Sequence, residues 1–297
     1  MIKLETVAAK SIVYKTKSSD QWFGLDFNMN IYRGCSHGCI YCDSRSDCYR
    51  VANFDTVKVK DNALQIIRND LRRKVKTGVI GTGSMSDPYN PLEAKLNLTR
   101  NTLELVNAFE FGIGITTKSD LVTRDIDILK DINFHSGVIV KLTITIADDD
   151  LCKKIEPNVA ATSKRFHAIS KLSDAGIFCG VLMIPILPFV NDSEENIKSV
   201  LKMAKEAGAK FVYSYLGMTL RQGNREYFYD KLDECLPGIK EKYIKKYGLR
   251  YNIYPPNNKK LWDIYASECE RLGLIYDMKA IIHGYKSESK DRQLTLI

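Results

Sequence analysis

The chain has 297 residues, 44% of them hydrophobic, with 44 Lys+Arg against 36 Asp+Glu and a formal net charge of +8. This composition excludes a disordered or fibrous chain and allows one full α/β core. No apolar run approaches the roughly 18 residues a membrane span needs, and the opening stretch MIKLETVAAKSIVYKTK lacks the continuous apolar core of a signal peptide. Eight cysteines without an export signal predict free thiols in a reducing cytoplasm rather than a disulfide framework. The basic excess suits a phosphate-bearing partner. Its members are scattered, with Arg68, Arg72, Arg73, Lys74 and Lys76 in one helical stretch and Lys240, Lys242, Lys245 and Lys246 in another. Nucleic-acid contact and a plain solvated surface both remain open.

In chain order, a first strand is predicted over 27–32. It leads into Arg33-Gly34-Cys35-Ser36-His37-Gly38-Cys39-Ile40-Tyr41-Cys42. The C-x3-C-x2-C spacing offers three thiolates, Cys35, Cys39 and Cys42, to a four-iron cluster and leaves its fourth iron open. A cluster with four cysteine ligands mainly carries electrons, whereas an open iron also binds a substrate or cofactor. Gly34 and Gly38 let the loop turn tightly without Cβ clashes. Zinc and buried structural thiols are the competing readings. Zinc would need a fourth ligand, and His37 is cramped in the same loop.

A helix is predicted over 61–76, capped by Asp61, with Ala63, Leu64, Ile67 and Leu71 on one face. Strand 79–83, helix 99–109, strand 111–116 and helix 121–131, capped by Thr123, come next. Strand 138–146 is β-branched enough for burial on both faces. Helix 163–175 stops at Gly176, strand 178–184 follows, and helix 193–207 stops at Gly208 before strand 211–216. The remainder reads as mostly helical, over 224–235, 238–246 and 259–272. The alternation predicts an α/β chain with parallel βαβ units: a partial (β/α)6 TIM-like barrel with a mostly helical C-terminal extension. Its divisions are an N-terminal segment 1–24, a core 25–225 and an extension 226–297 packed on the barrel.

Ligands gather at the C-terminal ends of parallel strands. Those ends here carry Ser84, Ser86 and Asp87, then Lys118, then Thr143 and Thr145, and finally Arg221. Such a rim suits a zwitterionic, sugar-bearing cofactor, with Lys118 facing a carboxylate and Ser86 and Asp87 an ammonium. The competing reading makes Ser and Asp turn residues and Arg221 a surface ion-pair partner. Tyr41 is read either as a platform for an adenine ring or as a packing aromatic. His37, His135, His167 and His283 show no metal-ligand spacing. The cysteines at 48, 152, 179, 235 and 269 form no second pair of ligands.

The cysteine motif, with GTGSMSDPYNPLE (81–93), TTKSDLVTRDIDIL (116–129) and MIPILPFVNDSEENI (183–197), resembles the radical S-adenosylmethionine enzymes. Over roughly residues 25–275 the chain is similar to their spore photoproduct lyase-related, DNA repair photolyase-like group. The resemblance implies that Cys35, Cys39 and Cys42 hold a [4Fe-4S] cluster whose open iron chelates S-adenosyl-L-methionine. Reductive cleavage would then give a 5′-deoxyadenosyl radical that abstracts a substrate hydrogen. It also implies cofactor contacts from Ser84, Ser86 and Asp87 at the amino group, from Lys118, and from Thr143 or Thr145 at the ribose or carboxylate, beside the Tyr41 and Arg221 contacts read from the motif and the rim, together with an electron donor such as flavodoxin or ferredoxin and a possible nucleic-acid substrate. The chain departs from the spore lyase in one respect. That enzyme has an extra cysteine near the end of strand two for hydrogen return, where this sequence reads Ser84-Met85-Ser86. The departure counts against thymine-dimer lyase activity. The alternatives are an iron–sulfur nucleic-acid-binding or redox-sensing protein, and a radical enzyme acting on a peptide or small molecule.

Overall fold

The computed structural model describes residues 5–17 and 20–294, the stretch 288–294 as helix only. Of the predicted terminal segments, residues 1–4, 18–19 and 295–297 lie outside the described residues. Strands β1 (Thr6–Val7) and β2 (Val13–Lys15) precede a single 3-10 turn, Trp22–Gly24, and β3 (Phe27–Met29). Next come β4 (Tyr32–Arg33), the cysteine loop, β5 (Lys58–Lys60), α1 (Ala63–Arg72), β6 (Val79–Thr82), α2 (Glu93–Leu96), α3 (Leu98–Ala108) and β7 (Gly112–Thr117). The chain continues through α4 (Ile126–His135), β8 (Val138–Thr143), α5 (Asp149–Ile155), α6 (Thr162–Asp174), β9 (Cys179–Leu182), α7 (Glu194–Glu206) and β10 (Phe211–Tyr213). It ends with β11 (Met218–Thr219), α8 (Asn224–Cys235), α9 (Ile239–Tyr247), β12 (Asn252–Ile253), α10 (Asn258–Leu272) and α11 (Met278–Leu294).

The main sheet has seven strands in the order β10-β9-β8-β7-β6-β3-β2. All neighbours run parallel except β2 on β3. Strand alternation sorts the two faces. In β8, Val138, Val140 and Leu142 join the main core with Leu129 and Ile132 of α4 and Ile169 and Leu172 of α6. Ile139, Lys141 and Thr143 take the opposite face. On that face Gly81 and Gly114 leave room for Leu25, since a Cβ at either would lie 2.5 Å from a Leu25 methyl. Residues of β3, β6, β7 and β9 and Thr143 of β8 wall one cavity of about 470 Å³, so the sheet curls into part of a barrel. Phe23, Val79, Ile139, Phe178, Phe211 and Tyr285 fill its base. The Trp22–Gly24 turn reaches the far edge: the Phe23 and Trp22 rings lie 5.5 and 5.9 Å from that of Tyr213 on β10.

Several boundaries differ from the sequence expectation. The strand predicted over 27–32 splits after Met29, where the Asn30 amide reaches Ser84 (3.4 Å) and Tyr32 donates its hydroxyl to buried Glu93. Tyr32–Arg33 then enters a separate three-stranded sheet, β1-β5-β4. Strand 138–146 stops at Thr143, since the Thr145 carbonyl accepts from the Asn191 and Asn196 amides (3.1 and 2.9 Å) instead of from a neighbouring strand. Asp61 is not the cap of α1: Asn62 occupies that position in a left-handed conformation without a side-chain cap. Thr123 is not a cap either. Ser119 accepts from Leu121 N–H, and the 3-10 turn Asp120–Asp125 precedes α4. In the C-terminal part, α10 packs on α7, α11 on α4 and the Trp22–Gly24 turn, and α8 on the turn after Cys42. Among the described residues no helix is long and apolar enough to cross a membrane.

Candidate metal and cofactor site

The cysteine loop is fixed by main-chain contacts on both sides. At Gly34 (φ +78°) a Cβ would lie 2.6 Å from the carbonyl oxygens of Phe54 and Thr56, so only glycine fits. Cys35 N–H donates to the Phe54 carbonyl (2.8 Å). On the other side, Ile40 N–H donates to Ile155 (3.0 Å), and Asn158 donates from its backbone to His37 and from its amide to Ser36 (both 3.1 Å). The loop therefore docks on the end of α5.

Cys35, Cys39 and Cys42 line one cavity of about 110 Å³, completed by His37, Ser44, residues 83–87 and 116–118, and Thr143. Gly83, Ser84, Thr116, Lys118 and Thr143 also wall the 470 Å³ cavity, so the two chambers meet along this seam. Gly83 (φ +92°) makes the meeting possible, because a Cβ there would collide with the Thr116 carbonyl oxygen.

The predicted site residues divide into those that face the chambers and those that hold the walls. Ser84, Lys118 and Thr143 face both chambers. Ser86 and Asp87 border the small one, but their polar atoms are engaged. Ser86 donates to the Gly34 carbonyl (2.5 Å). The Asp87 carboxylate accepts from the Thr117 hydroxyl (2.6 Å), the Lys118 N–H (2.8 Å) and the Tyr89 N–H (2.9 Å). His37 Nδ1 lies 3.4 Å from it. Thr145 is buried and walls neither chamber. Tyr41 is a packing aromatic whose hydroxyl donates to buried Glu156. Arg221 stands 3.3 Å from Asp43 and donates to the Tyr251 hydroxyl (2.6 Å), outside both walls.

Two participants escaped the sequence reading. Glu156 and Arg165 are buried 2.6 Å apart beneath the cysteine loop, and Arg165 also donates to the Thr143 carbonyl (2.5 Å). Burial opposes ionisation of Glu156, but Arg165, Lys118 and the Tyr41 hydrogen bond hold it below the usual carboxylate range. Burial likewise opposes charge on Lys118. Cys39, Glu156, Cys42 and Asp87 outweigh it and keep the ammonium charged. Burial pushes the Cys35 thiol up to about 11 and Cys39 higher than a free cysteine. It also lowers His37, against the pull of Asp87. Among the described residues, no group of three or more His, Cys, Asp or Glu side chains is gathered so as to hold one metal ion. The arrangement is thus three soft thiols and a half-buried cation lining one chamber, with a larger chamber beyond.

An uncharacterized protein of Methanocaldococcus jannaschii is 31% identical over 264 residues, covering 84% of this chain and 97% of that protein. An uncharacterized protein of Mycobacterium tuberculosis is 29% identical over 242 residues, covering 79% of this chain and 71% of that one. Among solved structures, spore photoproduct lyase complexed with dinucleoside spore photoproduct superposes with a TM-score of 0.64 at 14% identity. That match covers 88% of this chain and 77% of the lyase. At this identity it speaks for a shared fold. Residues 29–201 match the profile described as the Radical SAM superfamily. That match spans more than half of the sequence, and the chain belongs to this superfamily of enzymes.

Proposed function

We propose that the protein is a radical S-adenosylmethionine enzyme in which Cys35, Cys39 and Cys42 hold a [4Fe-4S] cluster. The meeting of the thiol-lined chamber with the larger one carries this reading. Three cysteines within eight residues, all lining one chamber, supply the thiolates of an iron–sulfur centre with one iron left open. Thiols this buried ionise only against positive charge, which Lys118 supplies in part and bound iron would complete. When bound and reduced, the cluster supplies the electron that splits the sulfonium cofactor and yields a 5′-deoxyadenosyl radical for hydrogen abstraction.

The chain's own residues place and shield the reactants. Lys118, charged at the seam, pairs with the cofactor carboxylate. Ser84 and Thr143 offer hydroxyls to its amino and ribose groups. Asp87 and Ser86 hold the loops that carry these contacts, and the six-unit (β/α) framework keeps water out. An electron donor such as flavodoxin or ferredoxin would approach from outside. Neither chamber wall includes a fourth cysteine, which supports a reaction other than cysteine-dependent thymine-dimer reversal. A nucleic-acid substrate is favoured by the net charge and by Arg221. Its guanidinium lies 5.5 and 4.9 Å from the Tyr49 and Tyr251 rings, a stacking surface beside the cysteine loop.

Anaerobic reconstitution with iron and sulfide, followed by reductant and S-adenosylmethionine, is expected to release 5′-deoxyadenosine. An intact cluster that releases none would overturn the proposal in favour of a redox-sensing or nucleic-acid-binding protein. Oligonucleotide affinity that falls steeply with salt would favour nucleic acid over a peptide or small molecule.

A further inference from the structure

Lys141 lies on the concave face of β8, two residues before Thr143, and its side chain is fully buried. Its Nζ has no hydrogen-bond partner among the described residues. The face of Phe23, its centroid 4.8 Å away, offers a weak contact and no counter-charge. Burial, the one cause acting on it, pushes the amine down to about 7.

The surroundings place this amine behind the wall of the larger chamber, next to Leu25. The point where a Cβ of Gly114 would stand is 3.4 Å from Lys141 Nζ and 2.5 Å from Leu25 Cδ2. Leu25 is itself part of the chamber wall. The Leu25 side chain therefore links the surroundings of Nζ to the cavity wall, with the Phe23 ring on the amine as well. Glycine at 114 keeps the space around both tips free. A position that needed only filling would carry methionine or leucine, which match the volume without desolvating an amine. A lysine retained here without an internal counter-ion fits a counter-ion that arrives with a ligand.

We propose that Lys141 is the receptor for the acidic group, a carboxylate or a phosphate, of a substrate whose apolar body enters the 470 Å³ chamber beside the cofactor, Leu25 turning aside to admit it. The inference rests on the reading of this chamber as the substrate site and names the substrate's chemical class. It does not need the cluster to be competent.

The test is calorimetric titration of the full chain, anaerobically loaded with its cluster, using hexanoate, hexyl phosphate and hexanol. The expected result is at least one acid binding wild type about tenfold or more tighter than hexanol. The tighter of the two acids identifies the anion. Lys141→Met is expected to abolish the preference, leave hexanol affinity unchanged and raise the Tm, because a desolvated amine has gone. Leu25→Ala is expected to tighten acid binding several-fold. Equal affinity for acid and alcohol in wild type, no binding of either acid, or a preference that survives Lys141→Met would each overturn the proposal. Acid binding unchanged in Leu25→Ala would overturn the route past that residue. Release of 5′-deoxyadenosine by the same preparation is measured separately, so a failure of the radical chemistry is told apart from a failure of this receptor.

Discussion

Arg165 and Glu156 form a 2.6 Å ion pair with 1% and 2% of their side-chain surfaces exposed. The same guanidinium donates to the Thr143 carbonyl (2.5 Å) and to the Cys152 sulfur (2.7 Å), while Glu156 accepts from the Tyr41 hydroxyl. The end of β8 and the cysteine loop are thus joined through one buried pair, with a residue from between Cys39 and Cys42 at its tip.

Arg165→Met strands a buried carboxylate and is expected to destabilise the fold by about 3–5 kcal/mol. Urea unfolding near neutral pH measures the loss. The double variant Glu156→Gln with Arg165→Met is expected to recover part of it, because no charge is then left unpaired.

Acid dependence follows from the same pair. The folded-state pKa of Glu156 lies below its ordinary value of 4.5. Its contribution to stability is therefore complete above that value and is lost as pH falls through the folded one. Wild type is expected to lose this contribution only on acidification below about pH 5. In Arg165→Met only Lys118 and the Tyr41 hydroxyl are left to oppose burial at Glu156, and this contribution is expected to shrink. Unfolding free energies across that range distinguish the two.

Replacing Cys35, Cys39 or Cys42 singly by Ala is expected to remove the visible sulfur-to-iron absorption of the reconstituted protein and its bound iron. Cys152→Ala and Cys179→Ala are expected to keep both. Absorption spectra with iron and sulfide analysis decide. Full iron content in Cys39→Ala would refute the ligand assignment.

Lys118→Ala is expected to weaken S-adenosylmethionine binding by about 2 kcal/mol, the scale of a charge-assisted hydrogen bond. Equilibrium dialysis on the cluster-loaded protein reads this directly. Lys118→Arg is expected to recover little, because the ammonium sits in a closed seam between Tyr41, its ring centroid 5.6 Å away, and Asp87.

Gly83→Ala is expected to destabilise the fold by at least about 2 kcal/mol, from positive φ and from collision with the Thr116 carbonyl. Thermal unfolding of the cluster-free chain is the check, since the effect lies in the backbone.

The sequence shows the framework well because it is written in local patterns. The runs at 79–83, 138–146 and 178–184 are short, apolar and bounded by turn residues, and each contains a strand of the main sheet. The thiol loop is equally local, with three cysteines in eight residues. What stayed hidden depends on contacts across the fold. Asn30 looks like an ordinary strand position until Ser84, which also meets Asn28 on β3, draws it aside. Glu156 and Tyr41 are 115 residues apart and meet only because α5 ends beneath the loop. Lys141 reads as one polar residue in a β-branched run. Only the opposed Gly114 and Leu25 reveal that it points into the interior.

The glycines of the concave face carry a consequence for diversity. At Gly81, Gly83 and Gly114 the chamber outline is drawn by main chain and by Leu25, and any added side chain strikes one or the other. Gly83, facing main chain, offers no gradual way to reshape the room, whereas Gly81 and Gly114 can change only together with Leu25. Relatives that keep this sheet and take a different molecule are expected to vary at the Trp22–Gly24 turn, at Leu25 and beyond the strand ends, where walls can be exchanged without disturbing the scaffold.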